Sequence, residues 1–145
     1  MNVDKSGVEA LQSAVNNRAV LSVYEMQNEL DALPVPDNRL TLGAYLRFFI
    51  EKKLPSDVHK VLYFDCDIIV VDSLMELYET DISDFSLAAA FDVECDDICR
   101  YNRLDYPFKD GYFNSGVMLI NLDYWRKHSI SEKALKFVME NPNGS

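Results

Sequence analysis

The sequence lacks the features of a membrane-spanning or secreted chain. Its longest nearly unbroken apolar run, residues 61–71, contains two aspartates and is much shorter than the roughly 20 residues that a transmembrane helix requires. Residues 1–6 do not begin the basic and then apolar pattern of a secretory signal. Three cysteines, Cys66, Cys95 and Cys99, are too few and odd in number for a disulfide framework. These absences predict a cytoplasmic protein.

Positive charge is also scarce. The chain has 14 basic and 24 acidic side chains, giving a formal net charge of −10. Such a surface does not attract nucleic acids or anionic lipids, so neither is an expected partner. An acidic protein that binds a phosphorylated ligand needs either local arginine and lysine side chains or a divalent cation.

The length of 145 residues, with 48% hydrophobic residues, is enough for one domain with its own core. Helical and strand patterns alternate along it, which predicts an α/β fold with a mostly parallel sheet. Strands are predicted over residues 19–24, 60–64, 86–91 and 112–121, and loops over 28–39 and 92–111. Helices are predicted over 7–16, from Thr41 to before Pro55, from Ser73, and from Ser129 to before Pro142.

Two aspartates, Asp65 and Asp67, stand at the end of the apolar strand 60–64. Two carboxylates about 4 Å apart repel by roughly 4 kcal/mol at an effective dielectric near 20, so both stay ionised only beside positive charge. A divalent cation supplies that charge, and hard oxygen donors favour Mg²⁺ or Mn²⁺. The alternative is that both carboxylates only cap backbone N–H groups of a turn.

Two stretches of the sequence together resemble a known family. They are KVLYFDCDIIV at 60–70, followed by DSL at 72–74, and YFNSGVMLINL at 112–122, followed by Trp125 and Arg126. In order and spacing they resemble the bacterial lipopolysaccharide galactosyltransferases and glycogenin-like glycosyltransferases of family 8, from about Leu40 to Val138. The resemblance implies a GT-A fold and transfer of a hexose from UDP-glucose or UDP-galactose, with Mn²⁺ or Mg²⁺ and with retention of anomeric configuration. The implied acceptor is a saccharide, either lipopolysaccharide or another cell-surface glycan.

The resemblance also implies roles for individual residues. Asp65 and Asp67 would bind the metal, the backbone of Cys66 would lie near the ribose, and Arg47 would reach the donor sugar or diphosphate. From helical periodicity alone Arg47 lies outside the apolar stripe and would face solvent. Asn114, Ser115 and Gly116 would line the donor-sugar pocket. Within an apolar strand, Gly116 indicates either close approach of a backbone or ligand, or a simple β-bulge.

Parts of the family pattern have no counterpart in these residues. An initial nucleotide-binding strand and a later segment with a histidine metal ligand are not found, so residues 1–145 resemble the central part of a single GT-A domain. We therefore expect weak or absent transferase activity for this stretch alone. In a longer protein, peripheral attachment to the inner membrane is compatible with the prediction of a cytoplasmic location.

Two other functions fit the sequence less well. A haloacid-dehalogenase-like phosphotransferase would use Asp65 as nucleophile and Asp67 as acid/base, but Ile69 stands where that architecture expects threonine or valine. A degenerate, non-catalytic domain that only binds a partner is the second alternative.

Overall fold

A three-stranded sheet forms the centre of the structure, a computed structural model that describes residues 4–16, 18–31, 33–34, 42–92 and 111–141. The strands are β1 (Lys60–Phe64), β2 (Leu87–Phe91) and β3 (Phe113–Asn121), and their order in the sheet is β1-β3-β2. The predicted strands at 60–64, 86–91 and 112–121 are therefore confirmed to within one residue at either end.

Helices occupy most of the remaining described residues. The 3-10 helix continues directly into α3, and both of them pack against the last helix. The helices are α1 (Lys5–Val15), α2 (Gln27–Leu30), the 3-10 helix (Leu42–Phe49), α3 (Ile50–Lys53), α4 (Met75–Glu79), α5 (Leu122–His128) and α6 (Ile130–Glu140). In the part of the chain that the structure describes, no helix combines the length and apolar character needed to cross a bilayer.

The direction of the strands differs from the prediction. The central strand, β3, pairs antiparallel with both β1 and β2, so the expectation of mostly parallel pairing is wrong for the described strands. β1 and β2 run in the same direction but are separated by β3. An apolar run in a sequence predicts a strand that is buried on both faces, but it gives no information about the direction of the neighbouring strand.

This topology brings three chain segments to one edge of the sheet. The ends of β1 and β2 and the beginning of β3 all lie there, since β3 runs opposite to both. The register between β2 and β3 is irregular at this edge: Ala89 pairs with Met118 and Phe91 with Phe113, so two steps along β2 correspond to five along β3. Residues 114–117 of β3 thus lie in a bulged stretch opposite β2.

The core is built around the second half of β3 and around α5. Met118, Ile120, Leu122 and Trp125 form its buried cluster, and Ile120 and Leu122 are fully buried. The indole N–H of Trp125 is satisfied within this core because it donates to the Ser86 carbonyl at 2.9 Å. Burial of this apolar cluster fixes the position of β3, and with it the residues that precede the core on the same strand.

Several predicted elements have different bounds or do not form. No strand forms over 19–24, where the described residues are irregular, and the predicted helix 7–16 is α1, Lys5–Val15. The helix predicted from Thr41 is present from Leu42, mostly in 3-10 geometry, and Thr41 itself lies outside the described residues. Most of the predicted loop 92–111 also lies outside them.

The last helix begins where it was predicted, with Ser129 at its N-cap position. Ser129 adopts a left-handed conformation, with φ of 52°, and its side chain caps nothing. It ends α5, a helix that was not predicted from the sequence, and its backbone N–H donates to the carbonyls of Arg126 and Trp125. A serine followed three residues later by glutamate thus stands at a helix-to-helix junction here, where the geometry of the preceding helix end decides the conformation.

Candidate active site

The predicted site lies at the sheet edge where β1 ends and β3 begins. Asp65 directly follows β1, and its backbone N–H donates to the Gly116 carbonyl at 2.8 Å, which extends the ladder between β1 and β3. Asn114, Ser115 and Gly116 therefore lie beside Asp65, although about fifty positions separate them along the chain. The sequence predicted these residues as one site, and the topology brings them together.

The Asp65 carboxylate is held by two donors on the same oxygen. The Tyr63 hydroxyl donates to Oδ1 at 2.6 Å, and Nη2 of Arg47 donates to the same atom at 3.0 Å. The pair is partly shielded from solvent, since the Arg47 side chain is 13% exposed and that of Asp65 37%. Charge-assisted hydrogen bonds of this length are short and strong, so the carboxylate has a defined orientation.

Arg47 extends from the 3-10 helix across the end of the sheet. Besides Asp65, it bonds the carbonyls of Ser115 at 2.8 Å through Nη1 and Ala44 at 3.0 Å through Nε. Its guanidinium lies 4.9 Å from the centre of the Tyr63 ring, a cation–π distance. The solvent-facing position predicted from periodicity is wrong, because the segment is a 3-10 helix whose repeat differs from the 3.6 residues assumed.

Tyr63 was not recognised from the sequence as part of the site. Burial, followed by the hydrogen bond to Asp65, raises the pKa of Tyr63 to about 12, and the Arg47 charge opposes this only in part. The phenol is therefore a protonated donor at neutral pH. The sequence could have indicated Tyr63, because alternate residues of an extended strand face the same side, which places Tyr63 and Asp65 on one face.

Gly116 allows the two strands to approach closely at this point. A Cβ atom there would lie 3.0 Å from Oδ1 of Asn114 and 3.2 Å from Oδ2 of Asp65. The same Asn114 oxygen accepts a hydrogen bond from the Gly116 N–H at 2.8 Å. The bulge interpretation of this glycine is supported by the irregular register of β3, and the atoms that approach it closely belong to two side chains rather than to a backbone.

Asp67 and Cys66 lie in the turn that follows β1, and both are exposed. The turn is closed by a backbone hydrogen bond from Ile68 N–H to the Asp65 carbonyl at 3.3 Å. Within the described residues, the hydrogen bonds to the Asp65 carboxylate come from side chains, and Asp67 accepts none. The alternative that both aspartates only cap the turn therefore has no support in the described residues.

Asp92 is a further acidic residue at this edge, and it is not among the residues predicted for the site. It directly follows β2, as Asp65 follows β1, and its N–H donates to the Tyr112 carbonyl at 2.8 Å. Asp92 was predicted only as the first residue of a loop. Its position immediately after an apolar strand of the same sheet could have identified it as a residue of this edge.

The carboxylate oxygens at this edge are the kind of ligand that a hard divalent cation binds. Oδ2 of Asp65 faces Gly116, and among the described residues no donor reaches it, while the Asp67 carboxylate is exposed. No group of three or more His, Cys, Asp and Glu side chains suited to a metal occurs in the described parts of the chain. Two carboxylates are nevertheless a sufficient protein contribution for Mg²⁺-type ions that also bind substrate phosphates and water. Asp65 and Asp67 are thus the residues that would hold such an ion.

Comparison with known proteins identifies the family. The sequence model of Glycosyl transferase family 8 matches residues 3–145. The chain belongs to glycosyl transferase family 8. The resemblance given by the two motifs is therefore confirmed, and it extends further toward the N-terminus than the motifs themselves.

Individual relatives of this family 8 chain include enzymes of glycan synthesis. The chain is 34% identical over 134 residues to lipopolysaccharide 1,2-glucosyltransferase of Escherichia coli, covering 90% of this chain and 39% of that protein. It is 31% identical over 124 residues to general stress protein A of Bacillus subtilis, covering 85% and 43%. The chain thus spans less than half the length of these relatives.

Solved structures show the fold. An active-site mutant of LgtC superposes with a TM-score of 0.69 at 31% identity, covering 81% of this chain and 42% of that one. A galactosyltransferase LgtC in complex with donor and acceptor sugar analogs gives a TM-score of 0.62 at 28% identity, covering 80% and 46%. The family 8 chain therefore has the α/β GT-A fold, with the antiparallel pairing described above in its described strands.

Proposed function

We propose that the protein containing this family 8 chain transfers a hexose from a UDP-sugar to a saccharide acceptor, with retention and with Mn²⁺ or Mg²⁺. UDP-glucose or UDP-galactose is the proposed donor. The observation that carries the proposal is the geometry around Asp65: a carboxylate held through one oxygen, with its other oxygen directed toward Gly116, and the exposed Asp67 two positions later in the chain.

Asp65 and Asp67 would hold the cation, which when bound would neutralise charge that develops on the leaving diphosphate. Arg47 is placed to assist on the same side of the sheet. It is one of the few cations of a chain with net charge −10, and its guanidinium already contacts the carboxylate and the Ser115 carbonyl. We propose that it contacts the diphosphate or the sugar of the donor, as fork-shaped guanidinium groups commonly do.

Asn114, Ser115 and Gly116 form the wall of the proposed donor-sugar pocket, and the Cys66 backbone lies near the proposed ribose position. The absence of a side chain at Gly116 leaves room in front of Asp65 Oδ2. An oxygen-rich wall of amide, hydroxyl and carbonyl groups suits a sugar, whose hydroxyls need both donors and acceptors.

The proposed acceptor is lipopolysaccharide or another cell-surface glycan, supported by the lipopolysaccharide glucosyltransferase among the relatives. A cytoplasmic location, including the cytoplasmic side of the inner membrane, fits that acceptor. The coverage of 39–43% of the relatives is compatible with residues 1–145 being the central part of a single GT-A domain, which we also propose.

A change of Asp67 to asparagine tests the metal site. Asp67→Asn removes one anionic ligand, and we expect Mn²⁺-dependent binding of UDP, measured by isothermal titration calorimetry, to fall at least about tenfold. Asp123→Asn is the matched control, since Asp123 is an exposed carboxylate near the opposite end of β1, where it pairs with His59 at 3.0 Å. UDP binding that is indifferent to Mn²⁺ and to chelator would contradict the proposed metal site, and indifference of the protein to both Mn²⁺ and UDP would favour a non-catalytic domain.

A further inference from the structure

The two oxygens of the Asp65 carboxylate have different surroundings. Oδ1 accepts hydrogen bonds from Tyr63 at 2.6 Å and from Arg47 at 3.0 Å. Oδ2 points toward Gly116, where a Cβ atom would lie only 3.2 Å away, and within the described residues it accepts no hydrogen bond. The carboxylate is thus oriented through one oxygen, and the other is presented to the proposed donor pocket.

Tyr63 is the common contact of both charged groups. Its hydroxyl holds Asp65, and its ring lies 4.9 Å below the Arg47 guanidinium. The residue itself is fixed in the sheet by pairing with Met118, which is 3% exposed. One rigid side chain therefore sets the relative positions of the carboxylate and the guanidinium.

The hydroxyl also determines how Arg47 binds the carboxylate. A guanidinium beside a carboxylate tends to form two parallel hydrogen bonds, one to each oxygen. Here Nη2 contacts only Oδ1, while Nη1 is occupied by the Ser115 carbonyl. The Tyr63 hydroxyl, as the second donor to Oδ1, opposes rotation of the carboxylate toward a two-oxygen contact with Arg47.

We propose that Tyr63 is a positioning residue that keeps Asp65 Oδ2 available to a divalent cation and prevents Arg47 from occupying both carboxylate oxygens. The inference rests on the proposed function, because it assigns Oδ2 to the metal. Tyr63 itself contacts neither the metal nor the donor. Its effect is on the orientation of a ligand, which for metal sites is commonly worth a tenfold or larger change in affinity.

Tyr63→Phe tests this inference, because it keeps the ring and removes only the hydroxyl. We expect the affinity for Mn²⁺, measured directly from the free-ion signal in electron paramagnetic resonance, to fall about tenfold. Tyr78→Phe is the matched control: Tyr78 also lies beside a cation, 4.9 Å from Lys60 Nζ, and its hydroxyl bonds the Lys60 carbonyl at 3.3 Å. We expect Mn²⁺ affinity in that variant to equal that of the unmodified protein.

The dependence of UDP release on Mn²⁺ concentration separates positioning from general damage. With Tyr63→Phe, the Mn²⁺ concentration for half-maximal rate should rise about tenfold, and the rate at saturating Mn²⁺ should recover. A reduced rate at every Mn²⁺ concentration, with unchanged Mn²⁺ affinity, would overturn the inference. So would a Tyr63→Phe protein that binds Mn²⁺ as tightly as the unmodified protein, and in that case the proposed function would stand.

A double-mutant cycle tests the part played by Arg47. Lysine has a single donor nitrogen and does not form the two parallel hydrogen bonds by which a guanidinium binds both carboxylate oxygens. In an Arg47→Lys background, the Tyr63→Phe change should therefore reduce Mn²⁺ affinity by less than it does alone. Equal losses in the two backgrounds would contradict the proposed competition. Failure of the unmodified protein to bind Mn²⁺ at all would instead refute the proposed function together with this inference.

Discussion

Gly116 shows how much of the site depends on one missing side chain. The closest neighbours of a Cβ atom there are oxygens of Asn114 and Asp65, which are themselves proposed to serve the donor and the metal. Any substitution must move one of these oxygens by a few tenths of an ångström. Gly116 therefore couples the packing of β3 to the orientation of the carboxylate.

We predict that Gly116→Ala weakens Mn²⁺ binding by about tenfold, because the new methyl group displaces Asp65 Oδ2. Overpacking should also lower the free energy of unfolding by about 1–3 kcal/mol. Calorimetric titration and urea denaturation measure the two effects. Gly43→Ala, at an exposed position of the 3-10 helix, should leave metal binding unchanged. Equal Mn²⁺ affinities for Gly116→Ala and the unmodified protein would rule out this coupling.

Sequence reasoning at the residue scale identified residues that the fold brings together, and it failed where local geometry departed from the assumed period. Asp65, Asn114, Ser115 and Gly116 were placed through the motifs, and the structure brings them together at the sheet edge. Arg47 was mispredicted from periodicity, since a wheel with 3.6 residues per turn does not describe a 3-10 helix. Tyr63 was missed although strand alternation places it on the same face as Asp65, whereas its contact with Arg47 depends on a helix that precedes it in the chain.

At the scale of elements, the Asn121 side chain holds the connection from β3 to α5 through three hydrogen bonds. The Asn121 carboxamide oxygen caps α5 by accepting from Tyr124 N–H at 2.9 Å. Its amide nitrogen donates to the carbonyls of Ile82 at 3.0 Å and Ser83 at 3.2 Å, which precede β2. One side chain thus joins the end of β3, the start of α5 and the approach to β2.

We predict that Asn121→Asp lowers the free energy of unfolding by about 2 kcal/mol, although aspartate is an equally good helix cap. The cap would remain, but a carboxylate oxygen would replace the donor facing two carbonyl groups. Urea denaturation measures the change. Asn141→Asp is the control, because among the described residues the Asn141 side chain bonds only the Phe137 carbonyl at the exposed end of α6, and its effect should stay within about 0.5 kcal/mol. Equal losses in the two variants would refute the proposed junction.

Three of the four strands predicted from the sequence form and the one at 19–24 does not, whereas strand direction and the helix α5 were not predicted correctly. The runs that became β1, β2 and β3 are apolar, although only β3 contains buried residues, and apolar character is the same for parallel and antiparallel neighbours. α6 begins where the last helix was predicted, whereas α5 was not predicted, and the left-handed Ser129 ends α5 without a glycine or proline to mark that end.

On the scale of the whole molecule, charge and ligand binding are linked. The formal net charge of −10 repels a nucleoside diphosphate, so a bound cation and Arg47 are expected to provide most of the local attraction. Binding of metal and of diphosphate should then be mutually favourable. The size of that coupling is a property of the complete protein and can be measured from either ligand.

We predict that Mn²⁺ raises the affinity for UDP by about 5- to 150-fold and that UDP raises the affinity for Mn²⁺ by the same factor, since coupling free energies are reciprocal. Four calorimetric titrations, each ligand with and without the other, give the two ratios. Asp67→Asn should bring both ratios close to one. Tight UDP binding in the presence of chelator, unaffected by Mn²⁺, would show that the cation plays no part in diphosphate binding.

The hydrogen bond from Arg47 to the Ser115 carbonyl joins groups 68 positions apart in sequence. Closure of so long a loop is slow compared with formation of local helices and hairpins. During synthesis, the 3-10 helix and β1 leave the ribosome well before β3, so Asp65 is made before the β3 residues that complete its surroundings. We therefore expect metal binding to follow the pairing of β3 with β1, so that a nascent chain that stops short of β3 would have the acidic motif without the completed site.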